Sequence, residues 1–337
     1  MNKKNIAVIG AGHLGKIHAK LLATVDGVQP HVVETDPTAR EFIESNIGIP
    51  TFETTDSIEA DLDGAIVVTP TETHFDVCSR LIEQGCNLLV EKPICADAAS
   101  SRVLCEIAEQ NNRVLQVGHV ERFNPAFVAA RPQLKDVRYW ECTRYTPYTF
   151  RATDVSVVMD LMIHDIDLVL SAIDSDVLSV RATGAAVVGP HPDVATAWLE
   201  FSNGARACLK ASRCSPVANR SMQVQTADGM LDVDFAGQSV RRMDTSTNLQ
   251  EAFAKLSQEE KGVAREEMFQ KWLPVSDLEL SPQNAILEEQ KEFVRCLDGN
   301  QSPTVSGRDG LAAVEVAERI LAEIRLSSGT LRNLAAA

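Results

Sequence analysis

The sequence predicts an α/β protein of two domains, the first built on a parallel sheet and the second on an open, mostly antiparallel sheet with helices. Three observations carry this prediction: the length of 337 residues, an alternation of strand and helix patterns up to Gly118, and a run of strands without intervening helices after residue 176. Two cores of roughly 150 residues each suit this length better than one. The predicted domains are residues 1–118 and 119–337.

Short β-rich segments alternate with helical patterns through the first third of the chain. Apolar residues recur at helical spacing in segments that begin near Gly12, Asp76 and Ala98. Because strands separated by helices pair in parallel through right-handed crossovers, this alternation predicts a parallel sheet. The predicted strands are Asn5–Ile9, Pro30–Glu34, Gly64–Thr69, Asn87–Val90 and Arg113–Val117.

The second part of the chain begins with a mixed region and one strongly apolar helix, predicted over Val155–Ile173. Strand-like segments follow, and the pairs Asn203-Gly204 and Asp228-Gly229 are hairpin turn signals that favour antiparallel pairing. The predicted strands are Val177–Val188, Val194–Phe201, Ala205–Ser212, Ser221–Ala227 and Met230–Phe235; helical segments are predicted over Thr245–Gln270, Gln283–Leu297 and Gly310–Leu326.

Composition and charge narrow the possible partners. Hydrophobic residues make up 45% and charged residues 23%, which indicates a soluble, folded chain. The net charge of −15 disfavours nucleic acids and anionic membranes, and no apolar segment approaches the roughly 18 residues of a membrane span. The eight cysteines are scattered without a CxxC pair, and the N-terminal segment has no signal-peptide cleavage site. We therefore expect a cytoplasmic protein that acts on a small molecule.

A glycine-rich motif follows the first predicted strand and opens a helix: Gly10-Ala11-Gly12-His13-Leu14-Gly15, which matches GxGxxG. Glycines permit the tight turn and let a pyrophosphate approach the helix N-terminus. The motif also requires an acidic residue after the second strand to bind the ribose hydroxyls; Asp36 is the first candidate and Glu34 the second. No basic residue follows at once, which favours NAD over NADP. The pattern predicts a Rossmann domain that binds NAD.

Two further motifs fall at the carboxyl ends of predicted strands, where a doubly wound sheet binds its ligand. They are Thr69-Pro70-Thr71-Glu72-Thr73-His74 and Glu91-Lys92-Pro93. A lysine beside a nicotinamide can polarise a substrate hydroxyl or carbonyl, whereas alone Lys92 could be a surface residue and His74 a helix-start residue. The peptide before Pro93 is predicted to be cis. We predict cofactor contacts from Thr69, Pro70, Thr71, His74, Glu91, Lys92 and Pro93.

Four ionisable residues lie within the predicted apolar helix: Asp160, His164, Asp165 and Asp167. Asp160 and His164 are four residues apart and therefore share a helix face, with Asp167 close to it. A lone pair of this kind is more often a core histidine satisfied by an aspartate. A dinucleotide site in the same chain favours a proton-transfer pair instead. No set of residues has the spacing of a metal site, so no metal is predicted.

Together these four motifs resemble the Gfo/Idh/MocA family of NAD(P)-dependent sugar dehydrogenases. Phrases of the second domain extend the resemblance over nearly the whole chain: Ala195–Gly204, Ala211–Arg213, Thr226–Asp232 and Val305–Gly310. The resemblance implies a Rossmann domain and a C-terminal α/β domain whose open sheet often forms a subunit interface. A homodimer or homotetramer is the corresponding expectation.

Carried over by position, Lys92 resembles the family's catalytic lysine, and Asp160 and His164 resemble its aspartate and general-base histidine. One position departs from the pattern: many members have glycine where this chain has Met162. The substitution bears on how the helix packs and on the room for substrate near the histidine.

Within the family, the segments Gly118–Pro125 and Thr153–Asp167 are most similar to the UDP-N-acetylglucosamine 3-dehydrogenases of lipid A synthesis. The resemblance implies oxidation of a sugar hydroxyl at C3. Because a UDP-sugar carries two phosphate charges, an acidic protein needs local arginines to bind it. The predicted substrate contacts are His119, Arg122, Asn124, Arg144, Arg151, Asp160 and His164, with Arg213 and Arg220 in neighbouring segments.

Two alternatives remain open at this point. The enzyme could act on a free polyol or a non-nucleotide sugar, in which case the arginines need not face the substrate. The chain could also be a non-catalytic NAD-binding sensor that uses its open sheet to hold a partner. Lys92, Asp160 and His164 argue against a sensor, because a sensor does not need a proton-transfer pair.

Overall fold

The computed structural model describes residues 3–150, 153, 155–245, 249–299 and 301–335. The chain forms two compact units, one of Met1–Phe123 with Gln283–Glu318 and the other of Asn124–Pro282 with Arg319–Ala337. The division drawn from the sequence placed residues 283–318 in the second domain instead. The predicted α/β fold class, with one parallel and one mostly antiparallel sheet, is confirmed.

The first unit contains a six-stranded parallel sheet of order β3-β2-β1-β4-β5-β6. Its central strands are buried on both faces because helices follow them, which explains their continuous apolar sequences. The elements are β1 (Lys4–Ile9), α1 (His13–Leu22), β2 (Val28–Val33), α2 (Pro37–Asn46), β3 (Thr51–Phe52), β4 (Gly64–Val67), α3 (His74–Glu83), β5 (Asn87–Glu91), α4 (Ala98–Gln110), β6 (Leu115–Gly118) and α9 (Ala285–Cys296).

Residues 283–318 pack against this sheet, although no local sequence pattern indicates that they belong to the first unit. The ring of Phe293 on α9 is fully buried and lies so close to Gly64 that a Cβ there would be 2.9 Å from it. The backbone N–H of Val117 donates to Val305 O at 3.0 Å. The first unit therefore needs the C-terminal part of the chain to complete its core.

The second unit contains an eight-stranded sheet of order β14-β13-β12-β11-β7-β10-β9-β8. All its pairs are antiparallel except β7 with β10. The elements are α5 (Pro125–Ala130), β7 (Tyr139–Tyr145), α6 (Ile163–Ala172), β8 (Val177–Ala185), β9 (Val194–Phe201), β10 (Arg206–Ser212), β11 (Asn219–Gln225), β12 (Gly229–Asp234), β13 (Ser239–Asp244), α7 (Leu249–Lys255), α8 (Gln258–Glu266) and β14 (Val275–Asp277); α10 (Gly307–Ala335) begins in the first unit and ends in the second.

One face of the second sheet is covered and the other is open. Along β7, Trp140 and Cys142 are buried while Tyr139 is exposed, and α6 contacts β7 and β10. On β9, Trp198 alternates with buried neighbours and is 48% exposed. An aromatic side chain on an exposed sheet face is a feature of association surfaces.

The surroundings of the cysteines keep most of them from reacting. All eight are free thiols, and seven of them are buried. Burial raises the pKa of Cys86 and Cys95 to about 12 and that of Cys105 to about 11. These thiols are therefore protonated and unreactive near neutral pH.

Among the described residues, no helix is both long and apolar enough to cross a membrane.

Candidate active site

The sequence motifs of the first unit meet at one edge of the parallel sheet. Ile9 pairs with Val67 and with Val33, Val67 pairs with Val90, and Glu91 pairs with Gly118. The residues that follow these strands therefore share the carboxyl edge: Gly10, Glu34, Thr69, Lys92 and His119. The order β2-β1-β4 also places the strand-order reversal between β1 and β4, where such sheets bind dinucleotides.

The glycine-rich loop has the geometry that the motif predicts. Gly10 has φ of 99°, and a Cβ there would lie 2.9 Å from Val68 O. A Cβ on Gly15 would lie 2.1 Å from Gly10 O, so this position needs glycine for packing. A Cβ on Gly12 would meet nothing within 4 Å. Gly12 precedes α1, whose first amides, from His13, Leu14 and Gly15, have no earlier helical carbonyl to bind.

The two acidic candidates after β2 have different surroundings. Glu34 accepts hydrogen bonds from Ala11 N at 2.6 Å and Asp36 N at 2.9 Å. Burial opposes ionisation of Glu34, but these hydrogen bonds outweigh it and the pKa is lowered. Asp36 is exposed and caps α2 by accepting from Thr38 N at 2.9 Å. Glu34 thus organises the glycine-rich loop, while Asp36 presents a carboxylate at the surface.

His74 is a buried bridge. It begins α3, is 1% exposed, and its Nδ1 lies 3.0 Å from Pro93 O while its Nε2 lies 2.9 Å from Thr69 O. The histidine therefore connects the Thr69–Thr73 loop to the Glu91–Pro93 segment. Because both ring nitrogens face backbone carbonyls and the side chain is buried, His74 is not a solvated residue at the start of a helix.

We expect His74 to make stability depend on pH. Burial lowers the pKa of His74 from 6.5, as it does for His31. Because the unfolded chain then binds more protons, the free energy of unfolding falls as the pH drops below 6.5. The melting temperature of His74→Gln should change less between pH 7.5 and 5.5 than that of the wild type. His191→Gln serves as the control, and equal changes in all three proteins would refute the assignment.

Lys92 is half-buried in a segment whose neighbours are held in place. The peptide between Lys92 and Pro93 is cis, as predicted. Lys92 N donates to Glu91 Oε2 at 3.2 Å, and Glu91 Oε1 lies 2.9 Å from His18 Nε2. Pro93 is buried. Lys92 therefore lies at the carboxyl edge of the sheet, between two residues, Glu91 and Pro93, that are held in place by their contacts.

The remaining predicted residues of the first unit follow β6. His119 is fully buried, and its backbone N–H donates to Val117 O. Arg122 lies in a short 3₁₀ turn, Val120–Phe123, with its Nη2 3.6 Å from Asp309 Oδ1 and its side chain 8% exposed. Both side chains lie inside the unit.

In the second unit, the predicted apolar helix is not regular. Val158–Met162 forms a π-helical turn, and α6 continues from Ile163. Asp160 and His164 are half-exposed among buried neighbours, whereas Asp167 is 1% exposed. Asp167 is therefore shielded from solvent, unlike the other two. Met162, at the position where many family members have glycine, is fully buried in the core. The π-helical turn is also of interest, because such turns occur frequently at functional sites.

Arg144 forms a buried ion pair at the same end of the unit. Its Nη2 donates to Asp165 Oδ1 at 2.7 Å, and its Nε lies 3.1 Å from the same oxygen. The side chains are 4% and 2% exposed. Strand register places Arg220 opposite Arg144, and Arg220 is exposed. Two predicted arginines therefore sit at one end of the covered sheet face.

Arg213 follows β10 at this end and has a second buried pair. Its Nε donates to Asp193 Oδ1 at 2.7 Å. Burial opposes ionisation of Asp193, but backbone N–H groups of Val187, Val188 and Gly189 together with Arg213 lower its pKa to about 2. Asn124 caps α5 by accepting from Ala126 N. Arg151 lies outside the described residues.

His18 is not among the site residues predicted from the sequence. It lies four residues after Leu14 on the buried face of α1, and this apolar periodicity is the signal that could have identified it. Within the described part of the chain, His18, Glu91 and Glu289 are the one group of three potential metal ligands, with their atoms within 4.8 Å of one another. His18 uses both ring nitrogens in close polar contacts, to Glu91 and Gln290. The absence of a metal stays a prediction.

Family models match both parts of the chain. The oxidoreductase family model, NAD-binding Rossmann fold, matches residues 4–119, and the Gfo/Idh/MocA C-terminal domain model matches residues 117–232. The UDP-N-acetylglucosamine 3-dehydrogenase of Acidithiobacillus ferrooxidans is 36% identical over 229 residues, covering 68% of this chain and 73% of that protein. The chain belongs to the Gfo/Idh/MocA family of oxidoreductases.

The similarity to two relatives extends over more than nine tenths of the chain. The solved structure of the Acidithiobacillus ferrooxidans UDP-N-acetylglucosamine 3-dehydrogenase aligns with a TM-score of 0.84 and 28% identity, covering 96% of this chain and 98% of that one. An inositol 2-dehydrogenase of Rhizobium meliloti is 26% identical over 332 residues, covering 92% of this chain and 94% of that protein. The family thus includes relatives with different sugar-like substrates.

Proposed function

We propose that this chain is an NAD-dependent dehydrogenase that oxidises the C3 hydroxyl of UDP-N-acetylglucosamine to a 3-keto sugar. The observation that carries the proposal is the carboxyl edge of the parallel sheet. A glycine-rich loop, an acidic strand end and a fixed lysine follow neighbouring strands there. The named activity of the Acidithiobacillus ferrooxidans relative supports the choice of substrate.

The glycine-rich loop fits the pyrophosphate of NAD. Space for a ligand group exists beside Gly12, since a Cβ there would meet nothing within 4 Å. The N–H groups of His13, Leu14 and Gly15 begin α1 at this point and favour negative charge. NAD, when bound, supplies the hydride acceptor, C4 of its nicotinamide ring. Thr69, Pro70 and Thr71 on the next loop would complete the binding edge.

Gly12→Ala tests this fit directly. Because the new methyl group enters open space in the protein and Gly12 has φ of −64°, the free energy of unfolding should change by less than about 1 kcal/mol. The same methyl would collide with a pyrophosphate, so NAD affinity should fall at least about tenfold. Gly262→Ala, also in open space but on α8, is the matched control. Calorimetric titration that finds equal NAD affinity in both variants would exclude the site.

We propose NAD rather than NADP because two carboxylates follow β2. Glu34 is fixed to the glycine-rich loop, and Asp36 is exposed beside it. The two hydroxyl groups of the NAD ribose can donate hydrogen bonds to such carboxylates, whereas the 2′-phosphate of NADP would be repelled by their negative charge. Arg40, the nearest described basic residue on α2, donates to the carbonyls of Glu34 and Thr35.

Asp36→Asn should weaken the preference for NAD. Asparagine keeps the cap of α2 but removes the charge, so the ratio of NADP to NAD dissociation constants should fall about tenfold. Glu83→Asn, an exposed acidic residue at the end of α3, should leave the ratio unchanged. If Asp36→Asn behaves like this control, Asp36 does not select the cofactor.

The chain's own residues would handle the proton. His164, oriented by Asp160, would accept the proton of the substrate hydroxyl group. The carbon that bears this hydroxyl group would lose its hydride to NAD. Lys92 would stabilise the negative charge that develops on the substrate oxygen. The products are a ketone, NADH and a proton, so the step balances. The half-exposed position of Asp160 and His164 on a buried segment supports these roles.

The arginines support a substrate with phosphates. Arg144, Arg213 and Arg220 lie near one end of the second sheet in an otherwise acidic chain. Arg144 and Arg213 are buried in ion pairs with Asp165 and Asp193, whereas Arg220 is exposed to solvent, and this exposure makes Arg220 the strongest candidate for a phosphate contact. The 26% identity to an inositol 2-dehydrogenase favours a free polyol as the second candidate.

A substrate panel separates the candidates. NADH formation at 340 nm is followed with UDP-N-acetylglucosamine, N-acetylglucosamine and myo-inositol, each with NAD or NADP. Turnover of UDP-N-acetylglucosamine alone supports the proposal. Turnover of myo-inositol alone supports the polyol dehydrogenase, and a panel without turnover favours the non-catalytic NAD-binding alternative.

We also propose that the open face of the second sheet forms a homodimer or homotetramer. The exposed Tyr139 and half-exposed Trp198 on that face support association. Trp198→Glu should shift the mass in light scattering from oligomer to monomer. A wild-type protein that is already monomeric would contradict the assembly.

A further inference from the structure

Two buried histidines contact the Glu91–Pro93 segment at the two residues that flank Lys92. His18 on α1 lies 2.9 Å from the Glu91 carboxylate through its Nε2 and is fully buried. His74 on α3 lies 3.0 Å from the Pro93 carbonyl through its Nδ1. Each of these helices follows one of the loops proposed to bind the cofactor. The segment with Lys92 is therefore connected to both loops.

The surroundings of His18 determine which of its nitrogens carries the proton. The amide Nε2 of Gln290 lies 2.9 Å from His18 Nδ1 and 3.1 Å from His18 O. The atom facing a carbonyl oxygen must be a donor, so the amide nitrogen, not the oxygen, points at His18. Nδ1 then accepts, and the proton lies on Nε2, which donates to Glu91. The hydrogen-bond network assigns this tautomer.

The Glu91 carboxylate links His18 to the backbone of Lys92. Its Oε1 accepts from His18, and its Oε2 accepts from Lys92 N at 3.2 Å. A Cβ on Gly118 would lie 3.1 Å from Oε2, so the carboxylate has little room to move. Glu289, a second buried carboxylate, lies within 4.8 Å of the group. Beside this second carboxyl group, the His18 donor holds the Glu91 carboxylate in one orientation.

We propose that His18 and His74 are positioning residues that hold Lys92 relative to NAD. The inference rests on the proposed role of Lys92 in substrate oxidation. Neither histidine needs to touch substrate, because each fixes the lysine's backbone through a neighbouring residue. Such support matters because a displacement of about 1 Å at a reacting group can lower a rate about 100-fold.

Asparagine and glutamine at position 18 separate positioning from simple packing. The glutamine amide nitrogen reaches the place of Nε2 and can donate to Glu91, whereas that of asparagine corresponds to Nδ1 and cannot. His18→Asn should lower kcat about 10-fold to 100-fold, while the NAD dissociation constant changes less than about threefold. His18→Gln should recover kcat to within about fivefold of the wild type. Equal losses in both variants, or no loss in either, would overturn the role of His18.

A double-mutant cycle tests whether His18 acts through Lys92. If it does, His18→Asn should lower kcat less than about twofold when Lys92→Met is already present. Losses that multiply would show that the two residues act independently. His74→Gln, whose amide nitrogen corresponds to Nε2 and therefore loses the contact that Nδ1 makes with Pro93 O, is expected to show the same dependence on Lys92. If Lys92→Met alone leaves turnover unchanged, the role proposed for Lys92 in substrate oxidation is wrong, and the double-mutant cycle then has no loss of activity to compare.

Amine labelling tests the positioning without any turnover. The rate at which acetic anhydride modifies Lys92 is measured against pH by peptide mass spectrometry, with Lys210 of the second unit as the internal reference. His18→Asn should change the Lys92 rate several-fold and leave the Lys210 rate unchanged. His18→Gln should resemble the wild type. A Lys92 profile identical in all three proteins would overturn the inference, whatever the outcome for the substrate.

Discussion

Replacing His164 with alanine is expected to lower kcat about 10²-fold to 10⁴-fold and to leave the NAD dissociation constant within about threefold of the wild type. The loss follows from removing the group proposed to accept the hydroxyl proton. NAD affinity should persist because the glycine-rich loop and the other proposed cofactor contacts belong to the first unit. Steady-state kinetics and calorimetric titration with NAD measure the two quantities.

The control for this variant is His191→Ala, a histidine of the same unit in the connection between β8 and β9. It should retain full turnover. Added imidazole should restore part of the activity of His164→Ala, because a free base can enter the space that the side chain leaves. Full turnover by His164→Ala would reject His164 as the base. A loss of NAD affinity equal to the loss of kcat would point to misfolding instead.

The meeting of the first unit's sequence motifs at the carboxyl edge of the parallel sheet could be predicted from the sequence because its signals are local. Strands β1, β4 and β5 are short apolar segments, and the glycine, threonine and lysine motifs directly follow them. Parallel pairing alone then brings their carboxyl ends together. The contacts of His18 with Glu91 and Gln290 could not be predicted, because they join residues 73 and 272 positions apart.

Other elements lacked a usable local pattern. The central strand β7 was left within a mixed region, and its parallel partner β10 lies more than 60 residues later. Helix α2 and the short β3 were not predicted, and neither was β13. The π turn at Val158–Met162 inserts into an apolar sequence that reads as continuous helix. Tertiary packing decides these structures, except for α2, whose start is marked locally by the Asp36 cap and by Pro37.

The arginines show the limit of reasoning from charge alone. The net charge favours a local group of cations for any anionic substrate, and three of the arginines named from the sequence lie near one end of the second sheet. It could not reveal that Asp165 and Asp193 bind two of them inside the protein. A buried arginine can serve the fold, the substrate or both, and the two roles require separate measurements.

Asp165→Ala is expected to lower the free energy of unfolding by about 3–5 kcal/mol, since it leaves the buried Arg144 guanidinium without its carboxylate. Urea denaturation monitored by circular dichroism measures this change. Glu200→Ala is the matched control, because its pair with Arg206 is exposed at 41% and 69% and should contribute less than about 1 kcal/mol. A change below about 1 kcal/mol in Asp165→Ala would contradict the buried pair's structural importance.

The double variant Arg144→Met, Asp165→Leu separates folding from substrate binding. Because two apolar side chains of similar volume avoid an unpaired buried charge, most of the lost stability should return. Only the folding role of Arg144 is restored in this way. If KM for UDP-N-acetylglucosamine then equals that of the wild type, Arg144 serves the fold alone, and Arg220 remains the arginine to test as the phosphate contact. If KM rises at least about tenfold in the stable double variant, the same guanidinium that holds α6 to β7 also binds the substrate.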